Sequence, residues 1–240
     1  MKGSLIARSE IGGALERDML ALHARYFEGV TAHQFRRDLA EKDWAVLIRE
    51  EDGRLAGFST LRVDRLRWRG GPLTLLSSGD TIVAPEAWHS SILSRTWIES
   101  ALRIHEHAPH GPLLWLLLSS GYRTYRFLPV FWREFFPRFD RPTPWATREL
   151  MRALARHRYG ACFDADVGVV RFPRPAILRA PLRAVSDSRR IDPHVAFFLD
   201  ANPGHERGDE LVCLTELADR NLTAAGRRMV GPSRRLEHAP

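Results

Sequence analysis

Hydrophobic positions follow a helical period at the start of this chain, so the first quarter is predicted to be helical. Apolar residues recur every three or four positions and would form one face of a first helix: Leu15, Met19, Leu22 and Tyr26. Thr31 followed by Gln34 matches a capping box, which predicts the start of a second helix.

The pattern then changes to alternation, which predicts strands joined by tight turns. Asp52-Gly53 separates two apolar segments and is a strong hairpin signal. A second turn over 69–72 (Arg-Gly-Gly-Pro) leads into a strand that ends at Val83. Pro85 stops this strand, because proline lacks the N–H that a sheet ladder needs.

The central stretch reads as a strand, a turn, an amphipathic helix and a second strand. Apolar residues return at helical spacing after the turn: Leu93, Trp97, Ile98, Ala101 and Leu102. The continuous apolar run from Leu113 to Leu118 follows. A strand, a crossover helix and a buried strand make a parallel pair. We expect a ligand where the first strand gives way to its helix, because free backbone N–H groups and the helix dipole favour phosphate there.

The remaining chain predicts a longer α/β arrangement within one domain. Thr143 and Pro144 are expected to open a helix that ends at Gly160. Four further segments are assigned by pattern: strands over Val167–Phe172 and Leu211–Leu217, a proline-rich loop over Phe172–Leu182 and a short helix over Asp192–Leu199. We assign residues 1–225 to a single domain and 226–240 to a flexible tail.

Composition is that of a globular protein, with 44% hydrophobic and 27% charged residues. No apolar run approaches the roughly 20 residues of a spanning helix. The first residues lack the apolar core of a signal peptide, so we expect a cytoplasmic protein. Cys162 and Cys213 lack metal-ligand spacing and are expected to be free thiols in the core.

The net charge of +7 predicts attraction for anionic partners such as nucleotide cofactors or acidic carrier proteins. Lys2 and Lys42 are the only lysines among 36 basic residues, and the arginines are scattered. No basic block interleaved with aromatic residues indicates a nucleic-acid site.

The order of elements, with the Asp-Gly hairpin and Thr81–Glu86 (TIVAPE), resembles the GNAT acyltransferase superfamily over roughly Leu15 to Pro137. The resemblance implies an α/β fold with a mixed, mostly antiparallel sheet, a parallel splayed pair of central strands, and helices on both faces. It implies acyl transfer from a CoA or acyl-carrier-protein thioester to an amine acceptor, without a metal. The strands at 167–172 and 211–217 would be the sixth and seventh of that sheet.

The resemblance also implies where the donor binds. The pantetheine arm would lie along Ile82, Val83 and Ala84, in the gap between the splayed strands, with the pyrophosphate at the N-terminus of the next helix. Further donor-binding candidates come from the loop and the segment after the fifth strand: His89, Ser90, Ser91, Ser119 and Arg123.

The loop departs from the family pattern, because no glycine occurs over Trp88–Leu93. Glycines allow backbone to approach phosphates closely. Three interpretations remain open: a different mode of pyrophosphate binding, a carrier-protein donor rather than free CoA, or an inactive site.

Three residues are candidates for proton transfer. In the superfamily a tyrosine after the fifth strand protonates the departing thiolate, and Tyr125 is the first candidate here, with Tyr122 second. The alternative is that both tyrosines only pack. Asp80 is the only acid in its strand and is the candidate general base; the alternative is a carboxylate bonded to a turn or to an arginine. His105, His107 and His110 resemble a metal cluster, but basic side chains also suit a helix end, and no metal is expected. The competing functional hypothesis is a non-catalytic GNAT-like protein that binds a ligand or partner.

Overall fold

The computed structural model describes residues 1–107 and 109–231. The strands are β1 (Lys2–Ala7), β2 (Phe27–Glu28), β3 (Trp44–Arg49), β4 (Leu55–Trp68), β5 (Gly71–Val83), β6 (Leu113–Ser119), β7 (Phe135–Phe136), β8 (Phe163–Asp164), β9 (Val169–Val170), β10 (Ile177–Leu178) and β11 (Glu210–Glu216). The helices are α1 (Gly13–Tyr26), α2 (Ala32–Ala40), α3 (Ile92–His107), α4 (Tyr122–Tyr125), α5 (Phe127–Phe131), α6 (Trp145–Tyr159), α7 (Ala180–Arg183), α8 (Asp187–Arg190), α9 (Pro193–Ala201) and α10 (Ala224–Met229).

One mixed sheet organises the described residues, in the order β1-β3-β4-β5-β6-β11-β9-β8, with β7 on β11. The β5–β6 pair is parallel, and the other pairs in this sheet are antiparallel. The predicted fold class is therefore confirmed: the sheet is mixed and mostly antiparallel, with one parallel pair at its centre. Both late strands join this sheet as predicted, although β9 is shorter than the predicted strand, and β11 lies between β6 and β9.

Alternation along the strands divides the core between two faces of the sheet. Val46 and Leu76 point to the face that α3 covers. On the other face, Leu47 packs beneath α1 and α2, and Leu75 packs in a cluster with α6. Helices on both faces follow from strands that are apolar on both sides.

Turn and cap chemistry explains several boundaries. Gly53 has φ +87°, and the Asp52 side chain accepts a hydrogen bond from the Arg54 amide at 2.9 Å, which closes the β3–β4 hairpin. The Thr31 hydroxyl accepts from the Gln34 amide at 3.2 Å at the start of α2, as predicted. Gly160 ends α6 with φ +52°.

Four predictions of local structure were wrong. The first quarter begins with a strand, because Lys2–Ala7 pairs with β3 along its whole length. Pro144 rather than Thr143 is the N-cap of α6, and no side chain caps that helix. The loop predicted for 172–182 contains β10 and the start of α7. The tail does not begin at 226, since α10 runs to Met229 and Val230 is buried; residues 232–240 lie outside the described residues.

Cys213 is buried and Cys162 is half-buried, and both are free thiols. Among the described residues, no helix is long and apolar enough to cross a membrane. The imidazole nitrogens of His107 and His110 lie near the backbone carbonyl oxygens of Arg103 and Leu66, at 2.7 and 3.2 Å.

Candidate active site

The central feature is a gap between β5 and β6. The two strands pair in register only from Thr74 opposite Leu113 to Ser77 opposite Leu116. Beyond Ser77, β5 continues to Val83 and β6 to Ser119 without further pairing between them in the described chain. The edges of the two strands beyond this point can bind an extended ligand.

A bulge in β5 lies beside the gap. The β4–β5 register shifts between Ser59 and Leu61, which leaves Gly79 and Asp80 opposite a single residue of β4. The Asp80 side chain is half-buried at this bulge. A bulge bends the strand, so β5 turns away from β6 where the gap begins.

The loop from β5 to α3 ends in unpaired amides. The Ser90 side chain accepts a hydrogen bond from the Ile92 amide at 3.2 Å, and the first helical bond runs from the Arg95 amide to the Ser91 carbonyl. The amides of Leu93 and Ser94 are therefore among the unpaired donors at the helix start. His89 and Ser91 are exposed beside them. This helix start can hold an anion.

Trp88 occupies the end of β5. Its indole N–H donates to the Val83 carbonyl at 2.9 Å, and its side chain is 38% exposed. The Arg123 guanidinium lies 4.5 Å from the Trp88 ring centroid and 4.8 Å from that of Tyr122. Arg123 also donates to the Leu182 carbonyl at 2.6 Å, and no carboxylate within the described residues lies within ion-pair distance of it. A cation is thus held between two rings beside the loop.

The three residues expected to line the donor arm, Ile82, Val83 and Ala84, differ in burial and in backbone hydrogen bonding. Ile82 is buried in the core beneath α1, and the Ala84 amide donates to the Ala56 carbonyl at 2.8 Å. Val83 is half-buried at the end of the gap. Ser119 is apart from the loop: it is fully buried, with its hydroxyl 4.0 Å from the Cys213 sulfur.

Tyr125 is enclosed by the core. Its side chain is fully buried, its hydroxyl donates to the Pro137 carbonyl at 2.9 Å, and its ring contacts Phe135, Phe197 and Phe198. Burial raises the pKa of the Tyr125 hydroxyl well above its ordinary value. These surroundings agree with the packing alternative, and a catalytic role for Tyr125 stays a prediction.

Tyr122 has different surroundings although it lies on the same short helix. Its ring is 6% exposed beneath Arg123, and its hydroxyl makes no hydrogen bond within the described part of the chain. The hydroxyl of Tyr122 is therefore free to bond a ligand at the loop end of the gap.

Asp80 belongs to a group of polar side chains on the sheet face opposite α3. We call it the polar cluster: His23, Lys42, Thr60, Asp80 and Glu210. His23 Nδ1 lies 3.9 Å from Asp80 Oδ2. His23 Nδ1 and Thr60 Oγ1 are buried and have no hydrogen-bond partner. Buried polar atoms are usually paired, so these two indicate room for water or a polar ligand.

Glu210 is a candidate that sequence reasoning missed. The pKa of its carboxyl is raised to about 7, chiefly by burial and also by the Asp80 charge, while the Lys42 charge acts in the opposite direction. The same burial lowers the pKa of the Lys42 amine and of the His23 imidazole. A carboxyl that titrates near neutrality beside a gap is suited to proton transfer. The sequence around Glu210 does not indicate a site, because Glu210 is far from Asp80 in the chain and only the order of strands in the sheet brings the two near each other.

Comparisons with known proteins assign no family to this chain, and the solved structures that match it are distant. No family model and no curated protein matches the chain. A GNAT family N-acetyltransferase from Escherichia coli in complex with CoA is 16% identical, with TM-score 0.39 over 53% of this chain and 68% of that one. A probable N-acyltransferase from Enterococcus faecalis is 12% identical, with TM-score 0.42 over 90% of this chain and 66% of that one. Glucosamine-6-phosphate N-acetyltransferase from Arabidopsis thaliana is 13% identical, with TM-score 0.36 over 48% of this chain and 82% of that one.

Proposed function

We propose that this protein is an N-acyltransferase that moves an acyl group from a thioester donor to an amine. The observation that carries the proposal is the parallel pair β5–β6, which is joined only as far as Ser77 and Leu116 and then opens. An open strand edge can hold the amides of a pantetheine arm by backbone hydrogen bonds. Orientation of the thioester in this gap would supply much of the catalysis.

The donor phosphate would lie at the start of α3. The unpaired amides of Leu93 and Ser94 favour an anion, and His89 and Ser91 are exposed within the same loop. Arg123 adds a positive charge held over Trp88. The arm would then run along Ile82, Val83 and Ala84, with its acyl end toward the β5 bulge.

The donor is proposed to be an acylated carrier protein in preference to free acetyl-CoA. Trp88 fills the end of β5, where glycines would admit a pyrophosphate closely. A carrier-bound phosphopantetheine presents one phosphate on a protein surface and needs less of this loop. The net charge of +7 would steer an acidic carrier toward the protein.

Proton transfer is assigned to side chains at the two ends of the gap. The free hydroxyl of Tyr122 supports it as the donor to the departing thiolate, ahead of Tyr125, whose hydroxyl is bonded to Pro137. Asp80 is proposed to hold or deprotonate the acceptor ammonium, since its half-buried carboxylate pairs with no arginine of the described residues and lies 3.9 Å from His23 Nδ1.

Calorimetry tests this function. Acetyl-CoA, a long-chain acyl-CoA and an acylated carrier protein would each be titrated into the purified protein. We expect the carrier protein to bind most tightly and acetyl-CoA weakly or not at all. Micromolar acetyl-CoA binding would contradict the donor assignment, and failure of all three donors would contradict the acyltransferase proposal.

A second candidate function, a GNAT-like protein that binds a ligand without catalysis, is favoured by Trp88 alone. Its indole donates to the Val83 carbonyl, a group that a donor arm would otherwise meet. Donor binding without turnover in the presence of mixed primary amines would support this candidate.

A further inference from the structure

Lys42 lies in an unusual position for a lysine. It follows α2 and reaches the β5 bulge, where a Cβ added to Gly79 would be 2.8 Å from the Lys42 Nζ and 2.6 Å from the Thr60 Oγ1. A Cβ at position 79 would displace the amine from this position. The Lys42 Nζ is therefore held against β5 at the point where that strand has parted from β6.

The Lys42 amine has no partner in the part of the chain that the structure describes. Within the described residues, no carboxylate oxygen lies within 4.0 Å of the Lys42 Nζ and no acceptor takes a hydrogen bond from it. The adjacent His23 Nδ1 and Thr60 Oγ1 are also unpartnered, and both residues are more than nine-tenths buried. These atoms surround a polar site with unused hydrogen-bonding capacity.

Charges from four elements act on this amine. Asp80 acts from β5, Arg158 from α6 and Glu210 from β11. Asp38 and Glu41 act from α2 and the residue that follows it. Burial outweighs the carboxylates and lowers the pKa of the Lys42 amine. A lower pKa increases the share of the amine that is neutral and nucleophilic, which an arginine cannot offer because its guanidinium keeps its proton.

The bound donor would bring its acyl carbon to this amine. The donor phosphate would lie at the start of α3, and its arm would run back along β5. The distance along the strand from Val83 to Gly79 is about 13 Å. We propose that Lys42 is an internal acyl acceptor, acylated at Nζ by the thioester bound between β5 and β6. This proposal rests on the proposed function and adds a modification site to it.

The chemistry of the step is that of any amine acylation. The Lys42 nitrogen attacks the thioester carbonyl carbon, a C–N bond forms, and the C–S bond breaks. The nitrogen loses a proton and the departing thiolate gains one, which leaves an amide and a free thiol. The product amide carries no positive charge to interact with Asp80 and Glu210.

The experiment uses the full-length protein and the fact that the chain has two lysines. The protein is incubated separately with acetyl-CoA and with an acylated carrier protein, and chymotryptic peptides are quantified by mass spectrometry over time. We expect acylation at Lys42 to exceed that at the exposed Lys2 by about tenfold or more, because the bound thioester is held beside Lys42 and meets Lys2 only from solution. Equal labelling of Lys2 and Lys42 would overturn the proposal.

A matched pair of glycine variants tests the geometry. Gly79→Ala forces the Lys42 amine to move and should reduce acylation at Lys42 severalfold. Gly71→Ala lies in the same strand, with its nearest atom 3.6 Å from the added Cβ, and should leave acylation unchanged. Equal acylation in both variants would count against the assigned position of the amine.

Two further measurements separate this inference from the proposed function. Calorimetric binding of a donor without acylation of Lys42 would overturn the inference and leave the acyltransferase proposal intact. Competitive labelling with acetic anhydride from pH 7 to 10 needs no donor site, and Lys42 should react at lower pH than Lys2. Titration of Lys42 like an exposed lysine would overturn the inference whatever the donors do.

Discussion

The two ends of the gap between β5 and β6 differ in how their polar groups are held. At the loop end, Trp88 and Arg123 are exposed, the Tyr122 hydroxyl has no hydrogen bond within the described residues, and unpaired amides begin α3. At the other end, the polar cluster is packed beneath α1, with buried atoms that lack partners. The loop end therefore suits recognition of a phosphate, which needs exposed cations and amides. The enclosed end suits proton transfer, which needs groups with shifted pKa values.

The two tyrosines of α4 give the largest expected effect. Tyr122→Phe should lower turnover about 10²–10⁴-fold, because it removes a general acid, while thermal stability stays close to wild type. Tyr125→Phe is the matched control: it should keep turnover and lose about 1 kcal/mol of stability, because its hydrogen bond to the Pro137 carbonyl is lost.

The assay is steady-state turnover with the donor that calorimetry selects, beside thermal unfolding of each variant. A Tyr122→Phe enzyme with full turnover, together with a folded but inactive Tyr125→Phe enzyme, would return the role of acid to Tyr125.

The packing of the polar cluster is tested by adding a methyl group at position 79. Gly79→Ala should lower the free energy of unfolding by about 1–3 kcal/mol, because the new methyl group meets Thr60 and Lys42 in an enclosed space. Gly71→Ala should be within about 0.5 kcal/mol of wild type. Denaturant unfolding of both variants measures the difference, and equal stabilities would show that the cluster is loosely packed.

The raised pKa of Glu210 predicts that the stability of the protein depends on pH. Its pKa is raised from an ordinary 4.5 to about 7 in the folded protein, so its contribution to stability is fully present below pH 4.5 and is lost as pH rises through about 7. Glu210→Gln should remove this loss, which we expect to be about 1–3 kcal/mol between pH 4.5 and 8.

Chemical denaturation of wild type and Glu210→Gln at intervals over that pH range measures the effect. Parallel stability curves for the two proteins would mean that Glu210 titrates as an exposed carboxylate and would remove it from the site.

The loop end should give the smallest effect. Arg123→Ala should weaken donor binding by about 1 kcal/mol, and less at high salt, because an exposed cation contributes modestly and is screened. Arg148→Ala removes an exposed charge from α6 on the other face of the sheet and is the control for net charge. Equal losses in both variants would assign the effect to overall charge rather than to the loop.

Local chemistry allowed much of the fold to be predicted from sequence. Preferences of neighbouring residues account for three features: the hairpin at Gly53, the end of β5 before Pro85 and the apolar face of α3. The strand β1 was missed because Lys2–Ala7 has no clear alternation, and its partner β3 lies about 40 residues away.

The site was less predictable because tertiary contacts decide it. Sequence spacing does not distinguish Tyr122 from Tyr125. In the fold, however, only the Tyr125 hydroxyl donates to the Pro137 carbonyl. Asp80 was identified from its strand, but its neighbours Lys42 and Glu210 come from elements that the sheet order alone brings together.

Hydrogen exchange tests the central claim, that a thioester donor lies between β5 and β6. Exchange would be measured in the peptide covering 78–84 with and without a saturating donor chosen by calorimetry. We predict slower exchange in this peptide and in the start of α3, because donor amides and phosphate would occupy groups that are unpaired in the free protein. Tight donor binding with unchanged exchange over 78–84 would contradict the account.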